Sequence, residues 1–212
     1  MIACGTAGTG KSYLISAISH ALGNKCVVTG TTGMAAFNIC GKTLHSTLQL
    51  PIHSCKFRDL QGSSLHRLQL TMTNKSYLII DEMSMMGQRM MAVIDKRLRQ
   101  ATAHLDTPLG GLSVLLLGDF AQLPPVRDEP LYRTSPTGSS GIHGHTTYKL
   151  FTTIVILDLV LRQVGSDPST LTFKSFLLRL CDGTVETDDW QMLLKHSPQQ
   201  VENINDFTAA II

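Results

Sequence analysis

The sequence has 212 residues, of which 43% are apolar and only 16% are charged, so it can build a hydrophobic core while a large surface is expected to face another molecule. The net charge of +2 permits a nucleic-acid partner without requiring one. Five scattered cysteines without a CxxC pair argue against a disulfide framework and favour a reducing intracellular setting, and the apolar runs are too short to span a bilayer, so no membrane partner is expected.

Strands and helices alternate along most of the chain. Short apolar or β-branched runs predict strands, whereas apolar residues at helical spacing predict helices. In chain order the pattern predicts a strand at 1–4, a helix at 11–22, a strand at 26–29, a helix at 33–40, a strand at 76–81, a helix at 88–101, a strand at 112–118, a strand at 153–157, helices at 168–180 and 186–195, and a strand at 207–212. This alternation predicts an α/β fold with a parallel sheet flanked by helices.

Two segments depart from this alternation. Residues 48–75 interrupt it and suggest a small inserted subdomain. Residues 127–147 are rich in Gly, Ser, Thr and Pro, which favours a loop. Within that loop, His143 and His145 are interpreted as solvated side chains because no third metal ligand accompanies them.

The first motif, GTAGTGKS, follows an apolar strand and opens a helix. It matches the pattern GxxxxGK[ST], in which backbone N–H groups and the helix N-terminus cradle phosphate oxygens. The lysine reaches the β- and γ-phosphates of a nucleotide and the hydroxyl binds Mg²⁺. A glycine-rich turn before an ordinary helix is the alternative, which the Lys-Ser pair and the preceding strand disfavour. The predicted nucleotide-binding residues are Gly5, Thr6, Ala7, Gly8, Thr9, Gly10, Lys11 and Ser12.

An acidic pair follows the strand LIID, at the edge where α/β sheets place their ligands. Asp81 is predicted to hold Mg²⁺ together with Ser12, and Glu82 to polarise the attacking water. Two acids at a strand end also occur as a solvated loop, but their combination with the glycine loop favours the Mg²⁺ interpretation. A protein that only binds nucleotide needs the aspartate but not the glutamate.

The stretch LLLGDFAQLPPV places a polar Gln122 shortly after an apolar strand. If this strand belongs to the same parallel sheet, Gln122 lies near the glycine loop and Asp81. A glutamine there can bond both the γ-phosphate and the attacking water, and so report the state of the nucleotide. The alternative is an ordinary polar loop residue.

Taken together, GTAGTGKS, LIIDEMSMM and LLLGDFAQLPPV resemble motifs I, II and III of superfamily 1B DNA helicases of the Pif-one type, relatives of RecD. Residues 28–46 resemble the Ia/Ib region of that family, residues 157–163 resemble its motif IV, and SMMGQRMMAVIDKRLRQ stands where it has a signature helix. The resemblance covers nearly the whole chain. It implies a RecA-like motor that uses ATP and Mg²⁺ to move 5′ to 3′ on single-stranded DNA and to unwind duplex or folded DNA, in repair, recombination or telomere maintenance.

The resemblance also implies roles for further residues. Arg162 matches an arginine that reaches the γ-phosphate, and the alternative is an arginine in a salt bridge. Thr32, Gly33, Thr43 and His45 match positions along the DNA backbone, where hydroxyls and a close-approach glycine suit contacts without sequence preference. His45 also fits a buried histidine with a hydrogen-bond partner.

The resemblance implies a two-domain motor. Residues 1–165 correspond to the first RecA-like domain, residues 166–205 to a helical segment that leads onward, and residues 206–212 to the start of a second RecA-like domain, which is the expected partner and the source of an arginine finger. An adenine-reading glutamine is expected upstream of residue 1. The location implied by the resemblance is the nucleus or the mitochondrion.

Three rival functions stay open at this stage. A different P-loop ATPase of the AAA kind is disfavoured because GDFAQLPP is not the usual polar sensor. A RecD-like ATPase coupled to a nuclease remains an alternative, as does a degenerate remnant that binds nucleotide or single-stranded DNA without turnover. Elsewhere, the methionines at 83–91 are interpreted as core residues, and Arg97 and Arg99 as lying on a solvated helix face.

Overall fold

A computed structural model of the chain describes residues 1–51, 57–160 and 168–195. The strands of this part of the chain are β1 (Ile2–Gly5), β2 (Cys26–Gly30), β3 (Lys42–Thr43), β4 (Tyr77–Asp81), β5 (Ser113–Gly118) and β6 (Ile154–Leu157). They form one sheet in the order β3-β2-β4-β5-β1-β6, with every neighbouring pair parallel. The predicted parallel α/β fold is therefore confirmed.

The helices of the described residues connect and flank these strands. They are α1 (Lys11–Leu22), α2 (Gly33–Asn38), α3 (Leu44–Leu48), α4 (Gly62–Met72), α5 (Gln88–Thr102), α6 (Gly138–Tyr148), α7 (Pro168–Asp182) and α8 (Thr187–Lys195). The chain divides into two compact units, Met1–Arg162 with β1–β6 and α1–α6, and Gln163–Ile212 with α7 and α8. The strand predicted at 207–212 lies outside the described residues. No helix in the described part is long and apolar enough to cross a membrane.

The central strands β4 and β5 are buried on both faces, which explains why they read as continuous apolar runs. Because side chains alternate along a strand, Leu78 and Ile80 join a large core with α5, whereas Ile79 faces the opposite side. On that opposite side, Ile15 of α1 packs in a smaller cluster with Leu115 and Leu117 of β5. The two clusters place helices on both faces of the sheet.

The segment that interrupts the alternation contributes to the larger core. Leu48 of α3, together with Leu68 and Met72 of α4, is at most 4% exposed and belongs to the same cluster as β4 and α5. Residues 52–56 of this segment lie outside the described residues. The described part of the segment is thus joined to the main core by its leucines and its methionine.

The prediction of a loop over residues 127–147 is wrong for its second half, which forms α6. The small residues that suggested a loop serve instead to bring α6 against α5. A Cβ atom added to Gly144 would lie only 1.7 Å from the carbonyl oxygen of Gln88, so the two backbones touch. Composition alone does not distinguish a flexible loop from a helix that needs small residues for close packing.

The expectation that His143 and His145 are solvated loop residues is also wrong. Both lie on α6, where Nε2 of His143 is 2.7 Å from Oδ2 of the fully buried Asp95 on α5. His145 is 9% exposed and lies beside Gln88. Their partners come from α5, which is distant in sequence.

Arg97 and Arg99 do not lie on a solvated helix face. Arg97 is 2% exposed; its guanidinium is 4.6 Å from the centre of the Phe57 ring and donates to Oε1 of Gln100 at 2.6 Å. Arg99 donates from Nε to Oδ2 of Asp95 at 2.8 Å. In contrast, burial of Met83, Met86 and Met91 confirms the interpretation of these methionines as core residues.

Candidate functional site

Three loops meet at one edge of the sheet because β1, β4 and β5 are adjacent and parallel. The glycine-rich loop follows β1, Glu82 follows β4, and Asp119 follows β5. The register pairs Cys4 with Gly118 and Ile80 with Leu116, so the three strands end at nearly the same level. The fold thereby assembles the motifs that are separated in the sequence.

The loop over residues 5–10 is tightly folded. Gly8 and Gly10 have φ angles of 83° and 87°, in the left-handed region that favours glycine. The hydroxyl of Thr9 donates to the carbonyl of Thr6 at 2.9 Å, and a Cβ on Gly5 would come within 2.4 Å of that hydroxyl oxygen. The glycines are therefore required both for the turn and for its close packing.

The ammonium group of Lys11 lies against this loop. Its Nζ donates to the carbonyl oxygens of Gly5 at 2.7 Å and Thr6 at 3.0 Å. Ser12 follows in the first turn of α1 and is exposed, and this turn contains no acidic residue. A positive side chain and free N–H groups at a helix N-terminus form an arrangement that attracts phosphate.

Asp81 and Glu82 carry the negative charge of the site. Asp81 is 5% exposed, and its Oδ1 accepts a hydrogen bond from the N–H of Glu82 at 2.9 Å. Burial raises the pKa of Asp81, an effect that this hydrogen bond and the charge of Lys11 partly offset. A buried carboxylate that is costly to charge is suited to a cation, and the oxygen atoms of Asp81 and Ser12 are of the type that Mg²⁺ binds.

Glu82 has an uncommon backbone conformation, with a φ of 57° in the left-handed region. Thr31, after β2, holds this turn, since its hydroxyl donates to the Glu82 carbonyl at 3.0 Å and its N–H donates to the Asp81 carbonyl at 3.2 Å. Burial raises the pKa of Glu82, and the charges of Asp81 and Asp119 raise it further, against the opposing effect of Lys11. A glutamate with a raised pKa is a better proton acceptor near neutral pH than an ordinary one.

Gln122 and Glu82 line the same groove, which has a volume of about 650 Å³. The loop that carries Gln122 begins with a turn in which Asp119 accepts the N–H of Ala121 on Oδ1 and the N–H of Gln122 on its carbonyl, both at 3.0 Å. Pro124 lies at the same groove. The structure therefore brings the predicted glutamine to the same groove as Glu82.

Two of the predicted DNA-contacting residues are helix caps. The hydroxyl of Thr32 accepts the N–H of Ala35 at 3.1 Å, and the hydroxyl of Thr43 accepts the N–H of Ser46 at 3.2 Å. Each hydroxyl still has its own proton to donate to another acceptor. Thr32 also lines the groove that contains Glu82 and Gln122.

Gly33 and His45 have different surroundings. A Cβ on Gly33 would meet no atom of the described residues within 4 Å, so packing against the described part of the chain does not explain this glycine. His45 is half-buried, and burial lowers its pKa, which favours the neutral form. The remaining predicted residue, Arg162, lies outside the described residues.

Two residues of the site were not identified from the sequence. Asp119 adds negative charge close to Glu82, and its signal was an acid directly after the glycine that ends β5. Thr31 holds the turn at Glu82, but a threonine after a strand has no distinctive signal. Both contacts depend on the sheet, which joins residues far apart in sequence.

Residues 1–191 match the family described as PIF1-like helicase. The chain is 30% identical over 220 residues to the ATP-dependent DNA helicase PIF5 of Trypanosoma brucei brucei, a match that covers 91% of the chain and 23% of that protein. It is 36% identical over 124 residues to the ATP-dependent DNA helicase PIF1 of Xenopus laevis, covering 58% of the chain and 19% of that protein. The chain thus spans less than a quarter of the length of these curated relatives.

Solved structures of Pif1 helicases are also similar to this chain. Bacteroides Pif1 in complex with ADP-AlF3 and single-stranded DNA superposes with a TM-score of 0.70 at 26% identity, over 95% of the chain and 47% of that structure. Pif1 helicase from Candida albicans superposes with a TM-score of 0.67 at 27% identity, over 89% of the chain and 42% of that structure. In both cases the chain corresponds to less than half of the solved protein.

Proposed function

This chain belongs to the PIF1-like helicase family, and on that premise we propose that it is the motor part of an ATP-dependent DNA helicase that moves 5′ to 3′ along single-stranded DNA. The observation that carries the proposal is the meeting of the Lys11 loop, the acidic pair and Gln122 at one edge of the sheet. A protein that only binds nucleotide does not need Glu82 and Gln122 at the same groove.

Each residue has a role in ATP hydrolysis under this proposal. The glycine loop and Lys11 bind and orient the phosphates, with the Lys11 ammonium exchanging its contacts to Gly5 and Thr6 for phosphate oxygens. Glu82 accepts a proton from the attacking water, which its raised pKa favours. Gln122 orients that water and loses its partner when the γ-phosphate departs.

Ser12 and Asp81 would hold Mg²⁺. When bound, the ion would supply positive charge next to the β- and γ-phosphates. The buried position of Asp81 supports this assignment, because a cation offsets the cost of burying its charge.

The DNA partner is proposed to be single-stranded and bound through its backbone. Thr32 and Thr43 present hydroxyl protons, and the open space at Gly33 allows close approach of another backbone. The complexes of Bacteroides Pif1 with single-stranded DNA support this partner. Because His45 favours its neutral form, it would contribute a hydrogen bond and no charge.

A second RecA-like domain is proposed to complete the site. Phosphoryl transfer needs positive charge around the γ-phosphate, and Lys11 supplies only part of it. An arginine finger from a second domain is typically worth about 10³–10⁵ in rate. Arg162 is proposed to add a further guanidinium, as the resemblance of residues 157–163 to motif IV implies.

The test measures ATP hydrolysis and strand separation by the full-length protein. We expect hydrolysis to rise on addition of single-stranded DNA, and a fork with a 5′ single-stranded tail to be unwound faster than one with a 3′ tail. ATP hydrolysis that single-stranded DNA does not stimulate, or unwinding only of forks with a 3′ tail, would contradict the proposal.

The contribution of a second domain is tested with residues 1–212 alone. We expect slow hydrolysis with little response to single-stranded DNA, because closure on the nucleotide is proposed to require the second domain. Fast, DNA-stimulated turnover by residues 1–212 would show that a second domain is not needed.

A further inference from the structure

The loop that carries Gln122 is fixed at its far end by Asp128. The carboxylate of Asp128 accepts three backbone N–H groups, from Arg89 at 3.1 Å, Met90 at 3.0 Å and Glu129 at 2.8 Å. It also pairs with Nε of Arg89 at 3.2 Å, while its own side chain is only 13% exposed. Asp128 is thus the polar anchor between this loop and the first turn of α5.

This contact replaces an ordinary helix cap. The cap position of α5 is Gly87, which has no side chain to accept N–H groups, and the first turn of α5 contains no acid. Asp128 accepts from the second and third residues of the helix, as the side chain of a capping aspartate would do. A Cβ on Gly87 would lie 2.1 Å from Cγ of Asp128, so the glycine leaves room for the carboxylate.

Backbone contacts extend the attachment. The N–H of Gln88 donates to the carbonyl of Glu129 at 2.8 Å, and Gly87 forms an isolated antiparallel bridge with Pro130. The side-chain amide of Gln88 donates to the carbonyl of Arg133 at 2.7 Å. The start of α5 and the end of the Gln122 loop therefore form one hydrogen-bonded unit.

Between the turn at Asp119, which holds the N–H of Gln122, and Asp128, the loop has little support from the described residues. Phe120 packs edge-on against Tyr132, with ring centres 5.3 Å apart, which fixes the start of the loop. Beyond it, Leu123 is 70% exposed and Val126 is 80% exposed. The position of Gln122 therefore depends on the two ends of the loop more than on burial of its middle.

The first turn of α5 is also close in sequence to the catalytic acid. Only the short turn Met83–Met85, Met86 and Gly87 separate Glu82 from α5. The same N-terminus is thus connected to Glu82 through the chain and to Gln122 through Asp128. A residue at the cap position of α5 itself would be sufficient to cap the helix. A cap that comes from the Gln122 loop also joins that loop to the helix.

We infer that Asp128 is a positioning residue for ATP hydrolysis, which holds Gln122 at a fixed place relative to Glu82 by tying its loop to the start of α5. The inference rests on the proposed function of the site. Because small misplacements of a catalytic group have large effects on rate, loss of the anchor should lower kcat about 10- to 100-fold. Nucleotide binding through Lys11 should remain, since the glycine loop is not part of this unit.

The experiment compares Asp128→Asn, Gly87→Ala and the control Glu129→Gln in the full-length protein. Asp128→Asn replaces one carboxylate oxygen with an NH₂ group, which cannot accept a hydrogen bond from the N–H groups of the helix. The methyl group added by Gly87→Ala would push the Asp128 carboxylate away. Glu129→Gln removes only the neighbouring ion pair with Arg133. The rate of DNA-stimulated ATP hydrolysis and the Kd of a fluorescent ATP analogue are measured, with rates divided by the concentration of binding sites.

We expect both anchor variants to lose about 10- to 100-fold in kcat with a Kd within about twofold of the wild type, and Glu129→Gln to change neither. In a Gln122→Ala background, Asp128→Asn should cost less than about threefold, because the residue that it positions is gone. An unchanged kcat, a loss explained by fewer folded sites, or an equal loss in both backgrounds would overturn the inference. Absence of turnover in the wild type would instead refute the proposed function.

Discussion

The backbone of Gly144 touches the backbone of Gln88, so that α6 and α5 cross without a side chain between them. Gln88 is the first residue of α5, and its side chain continues the contact toward Arg133. The crossing therefore supports the start of the helix that follows the acidic pair.

Gly144→Ala should destabilise the protein. The added Cβ would lie 1.7 Å from the carbonyl oxygen of Gln88, so the helices must separate, at a cost of about 1–3 kcal/mol in the free energy of unfolding. Gly141→Ala on the same helix is the matched control, because its Cβ would have ordinary contacts at 3.7–3.8 Å. Chemical denaturation of both variants checks this, and equal stabilities would contradict the described crossing.

Local patterns in the sequence are sufficient to predict elements that need only an apolar surface to pack against. The apolar spacing of residues 11–22 predicted α1 with both ends correct, because any apolar sheet face satisfies such a helix. The parallel sheet likewise follows from alternation of strands and helices. The position of the loops that carry Lys11, Asp81 and Gln122 at one edge of the sheet follows in turn, since parallel strands end at one edge.

Specific tertiary partners were not predictable in this way. Helix α6 looked like a loop because its glycines serve a contact with α5 that the sequence does not reveal. Arg97 looked solvated because its partner ring, Phe57, lies on a distant segment. The sequence gives no indication of the role of Asp128, since nothing in the stretch Arg-Asp-Glu-Pro shows which helix its carboxylate caps.

Glu82→Gln should strongly reduce ATP hydrolysis and leave ATP binding nearly unchanged, because the amide keeps the shape but does not accept the proton. Loss of a general base is expected to lower kcat by about 10²–10⁴. Glu129→Gln gives the same change of side chain away from the groove. Steady-state turnover together with analogue binding checks this, and substantial activity in Glu82→Gln would remove Glu82 from the role of base.

The pH dependence of ATP hydrolysis should follow the titration of Glu82. Because burial and the charges of Asp81 and Asp119 raise the pKa of Glu82, its base form is lost at a higher pH than that of an ordinary glutamate. In the wild type, kcat should therefore fall as pH is lowered through this raised pKa, while the protein is still folded. A flat profile down to the ordinary glutamate range would contradict the assignment.

Single-stranded DNA should bind without preference for base sequence, and its affinity should fall as salt rises, with a slope of about −0.7 in log–log form per phosphate contact. Thr32→Ala removes the hydroxyl proton offered to a phosphate, whereas Thr32→Ser keeps both the proton and the cap of α2. Fluorescence anisotropy with several oligonucleotides should show weaker binding only for Thr32→Ala. Strong dependence on base sequence would contradict contacts through the backbone.

The proposed motor function depends above all on nucleotide binding at the site around Lys11. Titration of a fluorescent ATP analogue with Mg²⁺ into the wild type, Lys11→Ala and the exposed control Lys25→Ala measures this site directly. We expect binding by the wild type and by Lys25→Ala, and loss of binding in folded Lys11→Ala. Equal affinity of Lys11→Ala and the wild type would contradict the assignment of the nucleotide site to Lys11.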